Sequence, residues 1–272
     1  MLTLEGVLDY LLTKVLRRFS PDHVALILDG NRRYAKLRGI TQMEGHIEGA
    51  FIMKKIIPKL IELNVKYVSM FVFSVENFSR KESSVEETLS VIRSYLVQEK
   101  DWLNEVDSKV LVSGKLEMLP IDLRNLLIEL ENDTKNNKGI VFNVCCAYSY
   151  TTELEYSMNR YLCDYKSKKH AVKRDLNNKN SHNQTGSMLE DKINNEENEC
   201  VISDEIYKNY LYNPEVPFPE ILIRTSGETR LSDYLIYQVC HNTRIYFVKV
   251  LWPQLNNLTV LFVILHYVLF YS

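Results

Sequence analysis

The loop Asp29-Gly30-Asn31-Arg32-Arg33 directly follows an apolar run, His23 to Leu28. Its residue types suit a Mg2+–diphosphate. A carboxylate offers a hard oxygen ligand to Mg2+. A glycine lets backbone N–H groups approach phosphate closely. Two adjacent guanidinium forks supply charge and bidentate geometry for phosphate oxygens. Taken alone, the loop is equally an Asp-Gly turn flanked by surface arginines. Two further clusters strengthen it. Ser74, Glu76, Asn77, Phe78 and Arg80 follow the apolar run that ends at Phe73. Arg224-Thr225-Ser226-Gly227-Glu228, then Arg230-Leu231-Ser232, follow the run around Ile223. Anion-binding side chains recurring after three apolar runs argue for one site rather than three solvated loops.

Such loops need a scaffold that brings them to one edge. Strands are expected over His23–Leu28, Lys66–Phe73, Val110–Val112, Gly139–Ala147, Ile221–Arg224 and Ile245–Val250. Helical spacing is expected over Glu44–Leu63, with a kink at Pro58. It recurs over Ser84–Leu103, opened by the capping pattern Ser84-Val85-Glu86-Glu87, and over Ile121–Asn136. Near-continuous apolar strands alternating with amphipathic helices predict an α/β fold. The expected form is a single domain with a mostly parallel six-stranded sheet flanked by helices. Ligands of such sheets bind at the carboxyl ends of the strands, where all three clusters fall.

Composition narrows the classes. The chain has 272 residues, 46% hydrophobic and 25% charged, an ordinary globular balance. Lys plus Arg is 33 against 35 Asp plus Glu, so the basic excess of a nucleic-acid binder is missing. The cysteines number 5 with no C-x-x-C spacing, which argues against a disulfide framework or zinc site and fits a reducing compartment. Residues 1–20 read as an amphipathic helix built on Leu4, Val7, Leu8, Leu11, Leu12, Val15 and Leu16. Glu5, Asp9 and Lys14 interrupt it, so it is no signal peptide; it could lie on a membrane surface or pack on the domain or a partner. Residues 21–255 form the main domain, broken at 166–199 by a polar stretch expected to be a disordered insertion. Residues 256–272 are an apolar segment. Its 14-residue run Leu258–Tyr271 is shorter than the about 20 residues a span needs. It reads as a buried helix, a partner interface or an interfacial anchor.

The segments HVALILDGNRRYAK, EGHIEGA, FVFSVENFSR, FNVCCAY, ILIRTSGETRLSDYLIYQ and VLWP run in order from His23 to Pro253. Together they resemble the cis-prenyltransferases, the undecaprenyl diphosphate synthase-like family. Within it the chain looks most like the eukaryotic dehydrodolichyl diphosphate synthase catalytic subunits. The resemblance implies the cis-prenyltransferase fold and its reaction. Isopentenyl diphosphate is condensed onto an allylic diphosphate, usually farnesyl diphosphate with geranylgeranyl diphosphate equally open, with Z stereochemistry. The product would be a long-chain polyprenyl diphosphate for dolichol synthesis and protein glycosylation. By matching position, Asp29 is implied as the catalytic carboxylate and Mg2+ ligand, and Asn77 as a helper in proton removal. Gly30, Asn31, Arg32, Arg33, His46, Ser74 and Arg80 are implied to hold the allylic diphosphate. Arg224, Arg230 and Ser232 are implied to hold isopentenyl diphosphate. Glu228 is read as orienting an arginine, and Phe51, Phe71 and Phe73 as core rather than tunnel lining.

The pattern departs from the family in places. Thr229, and Thr243 or Arg244, stand where bacterial homodimeric members carry a His and a Glu that complete the metal site. Gln42 stands where many members have an arginine. Homodimeric members end with an R-x-G motif, and this sequence has no Arg or Gly after Trp252-Pro253. The resemblance therefore implies a Nogo-B-receptor-like subunit that supplies the motif, with peripheral attachment at the cytosolic face of the endoplasmic reticulum membrane. The competing reading is a non-catalytic or truncated subunit of the same complex, acting as a membrane-attached scaffold. An all-α trans-prenyltransferase is disfavoured, because its D-D-x-x-D motif is absent.

Overall fold

The apolar runs pair edge to edge. In the computed structural model, which describes residues 4–179 and 207–271, they form β1 (His23–Ile27), β2 (Tyr67–Ser74), β3 (Lys109–Ser113), β4 (Val141–Tyr148), β5 (Ile221–Arg224) and β6 (Arg244–Phe247). The order across the sheet is β3-β4-β2-β1-β5-β6. Every neighbouring pair is parallel, so the sheet is wholly rather than mostly parallel. β1 and β5 are buried along their whole length, as continuous apolar strands covered on both faces must be. β6 is shorter than its apolar run. Val248 and Val250 turn away to accept hydrogen bonds from the loop after β5, Gly227 N–H at 2.8 Å and Ser226 N–H at 2.7 Å.

Helices fill the connections: α1 (Leu4–Leu16), α2 (Asn31–Arg38), α3 (Gln42–Glu62), α4 (Glu82–Glu105), α5 (Ile121–Thr134), α6 (Tyr150–Lys179), the short α7 (Ile236–Val239) and α8 (Asn257–Phe270). A capping box starts α3, earlier than Glu44. Glu44 N–H donates to the Thr41 hydroxyl at 3.2 Å, and Thr41 N–H donates back to the Glu44 carboxylate at 2.8 Å. Pro58 sits inside this helix. The expected cap at Ser84 does not form. The helical turn begins two residues earlier, at Glu82, with Lys81 as a cap that offers no side-chain bond.

A buried polar chain crosses the sheet. Asn143 Nδ2 donates to Ser69 Oγ at 3.1 Å, Ser69 Oγ lies 2.9 Å from His23 Nε2, and His23 Nδ1 lies 2.6 Å from the Pro217 carbonyl. A carbonyl only accepts, so Nδ1 carries the proton and Nε2 accepts from Ser69. Burial pushes His23 down to about 4, against the Pro217 hydrogen bond that raises it.

At the other side of the body, α1 is turned unexpectedly. Lys59 of α3 is almost fully buried and pairs with Asp9 at 2.5 Å, Glu62 at 2.6 Å and the Thr13 hydroxyl at 3.2 Å. That cluster fixes the polar residues Asp9 and Thr13 against α3. Leu16 is buried and Leu12 packs on the core, while Val7, Leu8, Leu11 and Val15 face outward. The apolar C-terminal run forms α8, capped by Asn256, whose side chain accepts from Thr259 N–H at 2.9 Å. It buries Val260, Leu261, Val263 and Ile264 and leaves Phe262, Leu269 and Phe270 exposed. Among the described residues no helix is long and apolar enough to cross a membrane.

Residues 151–214 form a compact unit of their own. In it, Tyr156 stacks on Tyr212 at 4.5 Å and Arg160 lies over the Tyr156 and Tyr210 rings. The polar stretch 166–199 is not disordered from its start, because α6 continues through it to Lys179. Residues 166–179 contain no Gly or Pro and are rich in Lys and Arg, which lose little side-chain freedom in a helix. The remainder of that expectation lies outside the described residues.

Candidate active site

β1 lies between β2 and β5; the chain runs from β1 to β2 on one side and from β5 to β6 on the other. This is the switch point at which open parallel sheets leave a crevice at their carboxyl ends. The loop after β1 is pinned there. Asp29 N–H donates to Thr225 Oγ1 at 3.0 Å, and that hydroxyl donates to the Asp29 carbonyl at 2.6 Å. Gly30 turns with φ 116, and a Cβ there would lie 3.0 Å from Leu251 Cδ2. Only glycine satisfies both the left-handed turn and the close approach.

The side chains of the first and third clusters meet across β1 and β5. Arg224 Nη2 donates to Asp29 Oδ2 at 2.8 Å, and Arg224 Nη1 donates to Ser232 Oγ at 3.0 Å and to the Arg230 carbonyl. Arg33 donates to the Ser226 carbonyl at 3.1 Å and to its hydroxyl, and its guanidinium lies 3.2 Å from Glu228. Glu228 also pairs with Arg230. Glu228 thus orients two arginines, and Arg33 ties α2 to the β5 loop. Burial would raise Asp29. The hydrogen bond and charge of Arg224 outweigh it, aided by Ser226 and Arg33, and hold the carboxyl below its usual range. Asp29 is therefore ionised at neutral pH. The loop itself is strained, with Ser226, Ser232 and Asp233 at positive φ.

The second cluster faces these groups. Ser74 Oγ accepts from Asn77 N–H at 3.2 Å, starting a tight turn that delivers Arg80. Register shifts between Phe71 and Phe73 and between Phe73 and Ser74 place an extra residue first in β2 and then in β4, an irregularity next to the site. His46, on the first turns of α3, is pushed down to about 4 by burial and then by the charges of Arg80 and Arg32. It is neutral at pH 7. Its Nε2 and the Oδ1 of Asn31 are buried without a protein partner. Arg80 is itself lowered by burial and by Arg32. Cations crowded together beside unpaired polar atoms are arranged for an anion.

All twelve residues implied by the resemblance line one cavity of about 900 Å3. The cavity continues between α3 and α4 along apolar side chains, among them Ala50, Met53, Ile57, Val91, Ile92, Leu96 and Val144. One of the three phenylalanines departs from the core reading: Phe51 is 53% exposed because it lies on the outer face of α3. Phe73 is buried in the core, and Phe71 is buried too, stacking on Tyr234 at 4.4 Å where it also lines the cavity. Of the positions that depart from the family motif, Gln42 lines the cavity, whereas Thr243 donates to the Pro219 carbonyl and the Arg244 guanidinium lies over the Tyr271 ring at 4.2 Å. Trp252 is a residue that sequence reasoning missed. Its N–H donates to the Asp29 carbonyl at 3.0 Å and its Nε1 to the Gly49 carbonyl at 2.7 Å. Nothing local in the VLWP segment signals that it clamps the first loop to α3.

A family model described as "Putative undecaprenyl diphosphate synthase" matches residues 27–269. An isoprenyl transferase of Fusobacterium nucleatum is 32% identical over 237 residues, 87% of this chain and 88% of that protein. A tritrans,polycis-undecaprenyl-diphosphate synthase (geranylgeranyl-diphosphate specific) of Thermoplasma volcanium is 32% identical over 263 residues, 95% of this chain and 90% of that protein. The crystal structure of lavandulyl diphosphate synthase from Lavandula x intermedia, with dimethylallyl diphosphate, shares the fold at a TM-score of 0.78 and 24% identity, covering 94% of this chain and 98% of that one. With the arginine-lined crevice leading into an apolar cavity, these matches establish that the chain belongs to the undecaprenyl diphosphate synthase family of prenyltransferases.

Proposed function

We propose that the protein condenses isopentenyl diphosphate onto an allylic diphosphate with Z stereochemistry and makes a long-chain polyprenyl diphosphate. The observation that carries this reading is the continuity of one cavity, cationic at its mouth and apolar along α3 and α4. Arg32, Arg80 and neutral His46 hold the allylic diphosphate, with Gly30, Asn31 and Ser74 shaping its seat. Arg224, Arg230 and Ser232 hold isopentenyl diphosphate alongside. The allylic C–O bond breaks, and the fixed guanidinium groups stabilise charge on the departing diphosphate. The isopentenyl alkene, held beside the allylic carbon, forms the new C–C bond. A proton then passes from the isopentenyl carbon to the released diphosphate, assisted by Asn77. The apolar product moves down the cavity.

The residues fit Mg2+ as an ion shared with substrate. Among the described residues no cluster of three His, Cys, Asp or Glu side chains could hold a metal. Asp29 is the ionised carboxylate beside the arginines, and one carboxylate plus substrate phosphates is a usual Mg2+ donor set. Bound there, Mg2+ supplies further charge for the leaving diphosphate.

The outward apolar stripe of α1, beside exposed Lys14, Arg17 and Arg18, favours peripheral contact with a membrane that takes up the lipid product. In this reading that membrane is the cytosolic face of the endoplasmic reticulum, and the product serves dolichol synthesis. In the same reading a Nogo-B-receptor-like subunit contributes an R-x-G segment. Farnesyl diphosphate is the proposed starter. The geranylgeranyl specificity in the name of the Thermoplasma relative makes that longer starter the second one to test.

The test incubates the protein with radiolabelled isopentenyl diphosphate, Mg2+ and each starter, with and without a candidate partner. Long polyprenyl diphosphates, lost in Asp29→Ala, are expected. Unchanged synthesis by a reconstituted Asp29→Ala complex would assign catalysis elsewhere and favour the scaffold reading. Robust synthesis by the chain alone would remove the partner requirement.

A further inference from the structure

The apolar part of the cavity is interrupted near its deep end. Its lining residues on α4 run from Thr88 to Leu103, a rise of about 22 Å along the helix axis. Glu99 lies one turn short of that end. Its side chain is 4% exposed, and its Oε2 sits 2.8 Å from Lys54 Nζ on α3. That oxygen has no hydrogen-bond partner, so the ammonium holds it as an ion pair alone. Lys54 is 45% exposed, so its ammonium reaches the carboxylate from the protein surface through the seam between the two helices. Tyr95, one turn before Glu99, also lines the cavity. Its phenol is pushed up by burial and by the Glu99 charge.

We propose that the Lys54–Glu99 pair is a latch across the α3–α4 seam that limits how long a polyprenyl chain the cavity accepts. The proposal rests on the polyprenyl synthase reading above. An isoprenoid chain is wholly apolar and gains nothing from an ion pair. To grow past the end of the cavity, one turn beyond Glu99, it must part α3 from α4, and parting them takes Lys54 away from a buried carboxylate oxygen that has no hydrogen-bond partner. A buried carboxylate without its cation is strongly unfavourable. The pair therefore opposes extension at one depth, where a purely apolar wall could repack around the chain.

The test compares Lys54→Met, Glu99→Gln and Lys54→Arg with the wild type in product length, read by reverse-phase chromatography. Lys54→Met and Glu99→Gln should both shift products to longer chains with the rate of the first condensation retained. Lys54→Arg, which keeps the cation, should restore the wild-type distribution. Wild-type lengths in Lys54→Met or Glu99→Gln, or shorter ones, overturn the latch. A second readout needs no turnover. Amide exchange over residues 50–57 and 95–103 should rise by about tenfold in Lys54→Met if the seam opens more often. Equal exchange overturns the latch even if the wild type makes no polyprenyl at all, whereas that absence of product counts against the functional reading alone.

Discussion

Arg224 Nη2 lies 2.8 Å from Asp29 Oδ2, joining the ends of β5 and β1 across 195 positions of sequence. The contact does two things. It keeps Asp29 ionised, and it spends one side of a nearly buried guanidinium on a fixed partner, so that the group is held in place before any diphosphate arrives.

Removing Asp29 should therefore separate chemistry from stability. Asp29→Asn keeps an oxygen that accepts from Arg224 but loses the charge. We expect kcat to fall by about a thousandfold with little change in unfolding. Asp29→Ala should lose as much activity and also about 2 kcal/mol of stability, because Arg224 is left without its acceptor. Steady-state incorporation of labelled isopentenyl diphosphate and urea unfolding check the two halves.

Glu228 should act on substrate binding through the arginines it holds. In Glu228→Gln, Arg33 and Arg230 each lose a charged partner. KM for isopentenyl diphosphate should rise about tenfold while kcat changes little, the pattern of lost binding rather than lost transition-state contact. A fall in kcat at unchanged KM would instead place Glu228 in the chemical step.

Gly49 should tolerate no side chain. A Cβ there would lie 2.1 Å from Asn31 Oδ1 and 2.9 Å from Trp252 Cδ1. Gly49→Ala should cost about 1–3 kcal/mol by overpacking and displace Asn31 from the cavity mouth. Gly39 is the control, with φ +67 but nothing within 4 Å of an added Cβ. Gly39→Ala should cost only the backbone strain, about 1 kcal/mol, and leave KM unchanged.

Acid should destabilise the fold through its buried histidines. His23 is held at about 4 in the folded state against an ordinary value of 6.5. As pH falls, the unfolded chain takes up this proton first. The stability is complete above 6.5 and is lost as pH drops from 6.5 toward 4, by about 2 kcal/mol at pH 5. His46 shifts the same way and adds to the slope. Urea unfolding at pH 7.5 and pH 5 should show a smaller difference in His23→Gln than in the wild type.

How far the sequence carries is clearest in the three clusters. Apolar runs ending in Asp-Gly-Asn-Arg-Arg, in Ser-x-Glu-Asn-x-x-Arg and in Arg-Thr-Ser-Gly determined by themselves that strands feed anion-binding loops, since chain direction and residue type are local properties. The parallel sheet follows from the same runs, because strands joined by helices must re-enter in one direction. What pairs with what was decided only by the fold. Arg33 is implied as a diphosphate ligand, and only the fold shows that its fork also meets Ser226 and Glu228. The apolar face of α1 could suit a membrane surface, the domain or a partner, and only the fold shows that one buried lysine, Lys59, draws its polar residues Asp9 and Thr13 inward. Trp252 clamps the Asp29 loop, and Glu99 meets Lys54 at the deep end of the cavity, with no trace of either in spacing or composition. Such contacts join residues far apart in the chain, and their energies depend on burial, which exists only once the sheet and its helices have closed over them.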